Sequence, residues 1–192
     1  MVLEEHAMIA TLRPLTYDDL RDMPDDGQRY EIIDGELIVT PAPTMGHQRV
    51  VGRLYRLLDD YARQVQGGEV AFAPFDVRLG QFDAVEPDLV FLSATRPRVP
   101  NDENSIDFAP DLVVEVISPS SRRVDRVRKM ALYARSGVPE YWIADPMDRT
   151  LVVNLLKGKE YVPVDHDTDG RIPSPTLSGL RVDPAEVFSG LD

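Results

Sequence analysis

Asp111-Leu112-Val113-Val114-Glu115-Val116-Ile117, running into Ser118-Pro119-Ser120-Ser121, is the stretch on which the fold of this chain turns. Its apolar residues continue without alternation, as in a strand of a sheet covered on both sides. Glu115 stands in the middle of that run. An ionised carboxylate there costs several kcal/mol unless something compensates it. A second segment repeats the arrangement: Glu86-Pro87-Asp88 leads into Leu89-Val90-Phe91-Leu92. Two carboxylates on adjacent buried strands suggest a bound cation, and a cation held by carboxylates suggests phosphate chemistry.

Strand geometry narrows the set. Side chains alternate, so Asp111, Val113, Glu115 and Ile117 share one face. Asp111 and Glu115 lie roughly 13 Å apart at about 3.3 Å per residue, too far to share one ion. Asp88 is the natural partner for Glu115. A hard cation, Mg²⁺ or Mn²⁺, held by one or two carboxylates, a backbone carbonyl and waters fits this pair. The bland alternative is that Asp88 caps a strand and Glu115 pairs with an arginine.

Outward from these strands, Ser118-Pro119-Ser120-Ser121 breaks the chain and caps a helix over 121–136, ended by Gly137. Its apolar face is expected to be Val124, Val127, Ala131 and Ala134. Asp125 and Lys129 are spaced for an i,i+4 pair, which on spacing alone reads as a solvated surface contact. Leu132 and Tyr133 extend apolar surface toward that side, so Lys129 can stand at the boundary and reach back to the strand end. Upstream, Val50, Leu54, Leu57, Leu58, Tyr61 and Val65 recur at helical spacing over 46–66, stopped by Gly67-Gly68. Residues 69–79 read as one long strand with Pro74 inside, lying near an edge or bent there. Asp34-Gly35 marks a β-hairpin within 30–39, and Lys157-Gly158 another within 151–164. Thr16 opens a short helix, 94–107 is a polar loop, 140–144 a further strand, and the tail from 165 is polar and turn-rich. Trp142 and Tyr141 are expected to pack against the sheet. The core order is helix, strand, strand, strand, helix, strand: an α/β (α+β) fold with a mixed central sheet flanked by helices.

The 192 residues are expected to form one domain. Its core spans about 28–160, with an acidic lead-in at 1–27 and a polar tail at 165–192. No run of 18 apolar residues marks a membrane span. The acidic start, with Glu4 and Glu5, is unlike a secretory signal, so a cytoplasmic protein is expected. The chain has no cysteine, which removes disulfides and thiolate chemistry, and its three histidines lie too far apart for a zinc pattern. The net charge of −12 opposes a nucleic-acid partner. That excess sits in the ends, because 41–159 hold sixteen acids and sixteen bases. Arg122, Arg123, Arg126 and Arg128 follow Glu115 closely and are candidates for contacts to a nucleic-acid backbone, or equally for internal ion pairs.

These residues resemble a known core. Pro87-Asp88 followed by Glu115-Val116-Ile117 on the next strand resembles the PD-(D/E)XK nuclease motif in its α-β-β-β-α-β, restriction-endonuclease-like setting. More specifically, Tyr30-Glu31-Ile32-Ile33-Asp34-Gly35-Glu36-Leu37, Glu86-Pro87-Asp88-Leu89, the segment from Pro110 to Ser120, and Gly137-Val138-Pro139-Glu140-Tyr141-Trp142 resemble the Uma2 family. Asp125, Lys129 and Tyr133 belong to the same pattern. The resemblance implies a metal-dependent endonuclease acting on DNA. Asp88, Glu115 and the Val116 carbonyl would be the ligands, and Glu31 would have a role at the site. Ile117 stands where the motif's lysine would be, so the resemblance points to Lys129 on the following helix instead. His47, opening the first long helix, is a further candidate for the site, or a surface histidine. The competing reading is a nuclease-fold protein without catalysis, acting as a binding or regulatory partner. Exposed hairpins make a homodimer the expected assembly.

Overall fold

The computed structural model describes residues 13–65, 67–119 and 121–191. The expected lead-in therefore falls outside it over 1–12, as does Ser120 of the capping segment. Helix α1 (Tyr17–Leu20) opens at Thr16 with Asp19 reaching back to the Thr16 N–H. Strands β1 (Arg29–Ile33) and β2 (Glu36–Thr40) form the hairpin. Asp34 and Gly35 both have positive φ, 56° and 76°, as a two-residue turn of this hand requires. A side chain at Gly35 would also meet Pro14, so glycine is required there twice over.

Helix α2 (Met45–Gln64) is capped by the Thr44 side chain, which accepts from the His47 N–H. Val50, Leu54, Leu58 and Ala62 form its buried stripe. Each of the three larger side chains contributes about 1.5–3 kcal/mol by leaving water.

Strands β3 (Glu69–Phe72), β6 (Leu89–Leu92), β8 (Leu112–Val116), β9 (Glu140–Asp145), β10 (Thr150–Lys157) and β11 (Glu160–Pro163) make a six-stranded sheet, ordered β11-β10-β9-β8-β6-β3. Strands β4 (Asp76–Gly80), β5 (Asp83–Val85) and β7 (Ser105–Ile106) join the hairpin in a second sheet, ordered β2-β1-β5-β4-β7. The expected single strand over 69–79 is therefore two strands in two sheets. Pro74 lies at the break, where its missing N–H cannot serve a ladder. The polar loop at 94–107 likewise contributes β7, which pairs in parallel with β4.

The central strand behaves as its composition demands. Leu112, Val114 and Val116 face α2, in one apolar cluster. Val113 and Ile117 face the other way, in a second cluster with Val77, Val85, Leu132, Tyr133 and Tyr141. Glu115 alternates onto that second face, between the two sheets. Trp142 and Tyr141 are fully buried, as expected of them.

Two further expectations fail. The tail is not a polar appendage: Ile172, Leu177, Leu180, Val182, Val187 and Phe188 close the α2 side of the core. These residues belong to β12 (Ile172–Pro173), β13 (Arg181–Val182), α4 (Pro184–Val187) and the turns between and after them, elements too short for periodicity to show. The helix after β8 also buries a different face. Val124–Lys129 wind as a π-helix before α3 (Met130–Arg135). The wider turn points Asp125 and Lys129 inward with Leu132 and Tyr133, while Val127, assigned to the apolar face, is 59% exposed.

Candidate active site

Register sets the two carboxylates face to face. In the antiparallel β6–β8 pair Leu89 lies opposite Val114, so Asp88 comes opposite Glu115 on the face turned away from α2. Both line a cavity of about 210 Å³, together with Arg29, Glu31, His47, Val116, Asp125 and Lys129. The loop over 40–44 and the segment around Ser118 and Pro119 form its other walls. Asp88 and Glu115 are 2% and 3% exposed, so their environment is set by neighbours rather than by water.

Asp88 is held from three sides. Its Oδ2 accepts from the Val116 N–H at 2.7 Å and from His47 Nε2 at 3.1 Å; its Oδ1 accepts from Arg29 at 2.7 Å. Burial works against the charge, yet His47 and Arg29 outweigh it and hold the carboxyl below its ordinary range. His47, read either as a site or a surface residue, is buried on Asp88. Among the described residues its Nδ1 is buried without a partner, so the proton that makes the Asp88 contact belongs on Nε2. Val116 enters the site through its N–H, which fixes Asp88 against β8.

Glu115 Oε1 accepts from Lys129 Nζ at 3.0 Å and from the Tyr133 hydroxyl at 2.7 Å. Lys129 therefore turns into the site, as the carry-over from Ile117 requires. It also meets Glu31 Oε1 at 2.7 Å and Asp125 at 3.6 Å. Burial would lower the ammonium pKa, but Glu115, Glu31 and Asp125 raise it well above its ordinary value. Burial pushes Glu115 well up, and Asp125, Asp88 and Glu31 push it further against the pull of Lys129. Among the described residues the cluster has more acid than cation: Glu31, Glu86, Asp88, Glu115 and Asp125 meet only Arg29 and Lys129 as permanent positive charges.

Three of the four arginines proposed for nucleic acid are already engaged. Arg122 and Arg126 pair with Asp145, Arg122 also with Asp148, and Arg128 reaches Glu36 and the Ile33 carbonyl. Arg123 is exposed. The internal-pair reading of this basic run holds for those three.

Arg29 and Glu86 were absent from the sequence-based set. Arg29 spans Glu86 Oε1 at 3.1 Å and Asp88 Oδ1 at 2.7 Å, while the Glu86 N–H donates to Glu31 at 2.8 Å. Period-two reading could have found Arg29: it shares a strand face with Glu31. Burial pushes the Glu86 carboxyl from 4.5 up to about 7 against the opposing pull of Arg29. The folded chain then binds that proton more tightly than the unfolded chain, so stability falls as pH rises between those values. Glu86→Gln removes the loss. Melts should show the variant more stable than wild type near pH ~8 by on the order of 1 kcal/mol after solvent screening, and no more stable near pH ~4.

The chain and its fold have counterparts. The pattern of the Uma2 family, described as "Putative restriction endonuclease", matches residues 17–185. The chain belongs to the Uma2 family. A solved structure from Anabaena variabilis, described as "a putative nuclease belonging to DUF820", shares the fold of this Uma2 chain. The TM-score is 0.77 over 93% of this chain and 99% of that one, at 23% identity. Among curated proteins, none matches this Uma2 chain.

Proposed function

We propose that this Uma2 protein hydrolyses DNA phosphodiester bonds with a divalent cation, Mg²⁺ or Mn²⁺, held by Asp88 and Glu115. The observation that carries this reading is the buried excess of carboxylate around an accessible cavity, with a charged lysine beside it. Burial pushes the Glu86, Glu115 and Asp125 carboxyls up, and a hard divalent cation is the partner that oxygen donors of this kind take when they ionise together. Among the described residues no three His, Cys, Asp or Glu side chains are grouped as a ready metal cage. Two carboxylates lining an accessible cavity fit an ion that keeps several waters, which is the habit of Mg²⁺. When bound, the ion would supply Lewis acidity toward a phosphoryl oxygen and acidify water in contact with it.

The chain's own residues do the rest. Lys129, pinned by three carboxylates, keeps its proton and serves as a fixed positive charge and hydrogen-bond donor toward charge developing on phosphorus-bound oxygens. It is too strongly stabilised as an ammonium to act as a base. Tyr133 and Lys129 aim Glu115; the Val116 N–H and His47 aim Asp88. Glu31 aims Lys129 and is itself set by the Glu86 N–H.

One observation favours a second reading, a nuclease-fold protein that binds without cleaving: Arg29 already occupies Oδ1 of Asp88. Plasmid nicking separates the two. Wild type should nick supercoiled DNA only with Mg²⁺ or Mn²⁺, and Glu115→Gln should not.

A further inference from the structure

Arg29 stands where the chemistry of the site calls for a metal. Its guanidinium is mostly buried, lines the cavity, and bridges Glu86 and Asp88. Asp88 Oδ2 is committed to the Val116 N–H and His47, so Oδ1 is the oxygen turned to an exchangeable partner, and Arg29 holds it at 2.7 Å. Lys129 has no comparable freedom, because three carboxylates surround it. Glu86 gives Arg29 a second anchor two residues before Asp88.

We infer that Arg29 is a resident counter-ion that competes with the divalent cation for Asp88, leaving Oδ1 when metal binds while remaining tethered to Glu86. The inference rests on the metal-dependent reading above. It assigns Arg29 a role that the sequence pattern did not: the guanidinium compensates Asp88 until the ion arrives, then stays at the cavity wall as a positive charge. A positive charge within hydrogen-bond distance of a ligand oxygen opposes metal binding whatever its role. A residue serving only to hold the fold would keep Oδ1; exchange requires that Arg29 release it while the Glu86 contact persists.

The test is Mn²⁺ affinity, read by the free-ion electron paramagnetic resonance signal, for wild type, Arg29→Gln and Arg29→Lys. Arg29→Gln is expected to bind Mn²⁺ roughly tenfold or more tightly than wild type, the scale of one removed like charge at partial burial. Arg29→Lys, which keeps the charge, should lie between them. Unchanged or weaker binding by Arg29→Gln, with wild type binding normally, overturns the role of Arg29 alone. No Mn²⁺ binding by any of the three overturns the metal reading and this inference together. A measurement on the unmutated chain stands beside these, in case Gln leaves Asp88 too poorly compensated to fold. Titration with Mg²⁺ should shift the Arg29 Nη–H resonances, because Nη1 is the nitrogen that leaves Asp88, while leaving Arg122 unmoved. A stationary Arg29 signal on saturation contradicts the exchange.

Discussion

Lys129→Met should destabilise the fold by roughly 3–5 kcal/mol at neutral pH, the cost of breaking a buried ion cluster by removing its cation. Lys129 is 4% exposed and is the shared partner of Glu31, Glu115 and Asp125, so methionine fills the space and leaves three buried carboxylates facing one another. The deficit has a predictable pH dependence. Without the ammonium, the buried carboxylates hold protons above their unfolded range, so the folded variant binds more protons than its unfolded chain. Its stability then falls as pH rises, and the gap to wild type should narrow toward pH ~5. In wild type the lysine itself has the same sign over a different, alkaline window. Its folded pKa lies above the unfolded value, so its stabilisation is complete at neutral pH and is lost only at strongly alkaline pH. Denaturant melts at two pH values check both statements. An exposed Asp125–Lys129 pair would instead cost about 0.3–0.5 kcal/mol with little pH dependence.

Asp88→Ala should be nearly as damaging, by about 3–5 kcal/mol. Three donors lose their acceptor at once: the Val116 N–H, His47 Nε2 and Arg29. Arg29 keeps Glu86, so the unmet groups are mainly the Val116 amide and His47. Asp88→Asn retains an acceptor for the Val116 N–H and should recover a good part of the loss. Urea midpoints of the two variants measure that difference. Equal loss in both would mean that the charge, rather than the hydrogen bonds, sets the stability.

The sequence carried the strands best. β8 is legible because seven consecutive residues have only one composition-compatible place, the middle of a two-sided sheet. The opposition of Asp88 and Glu115 followed from alternation and strand adjacency. The helix after β8 was legible in existence but not in face. Periodicity assumes 3.6 residues per turn, and the π-helical segment Val124–Lys129 breaks that assumption where Lys129 must turn inward. Family resemblance placed Lys129 where spacing alone would have left it on the surface. The tail escaped because its apolar residues are scattered through two-residue strands and turns, and only the tertiary fold gathers them under α2. Arg29 escaped because an arginine at a strand start ordinarily signals solvent. Its burial depends on Glu86 and Asp88, nearly sixty residues away in the chain.

Metal-dependent nicking of supercoiled plasmid, compared between wild type and Glu115→Gln, tests the central claim most directly. The substitution keeps the shape of the side chain and its contact with Lys129, so a folded variant, checked by circular dichroism, isolates the carboxylate charge. The account predicts nicking by wild type in Mg²⁺ or Mn²⁺, its abolition by a chelator, and a loss of at least about 100-fold in the variant, the scale of removing one transition-state electrostatic contact. Equal nicking by both proteins, or none by wild type with either metal, would contradict it.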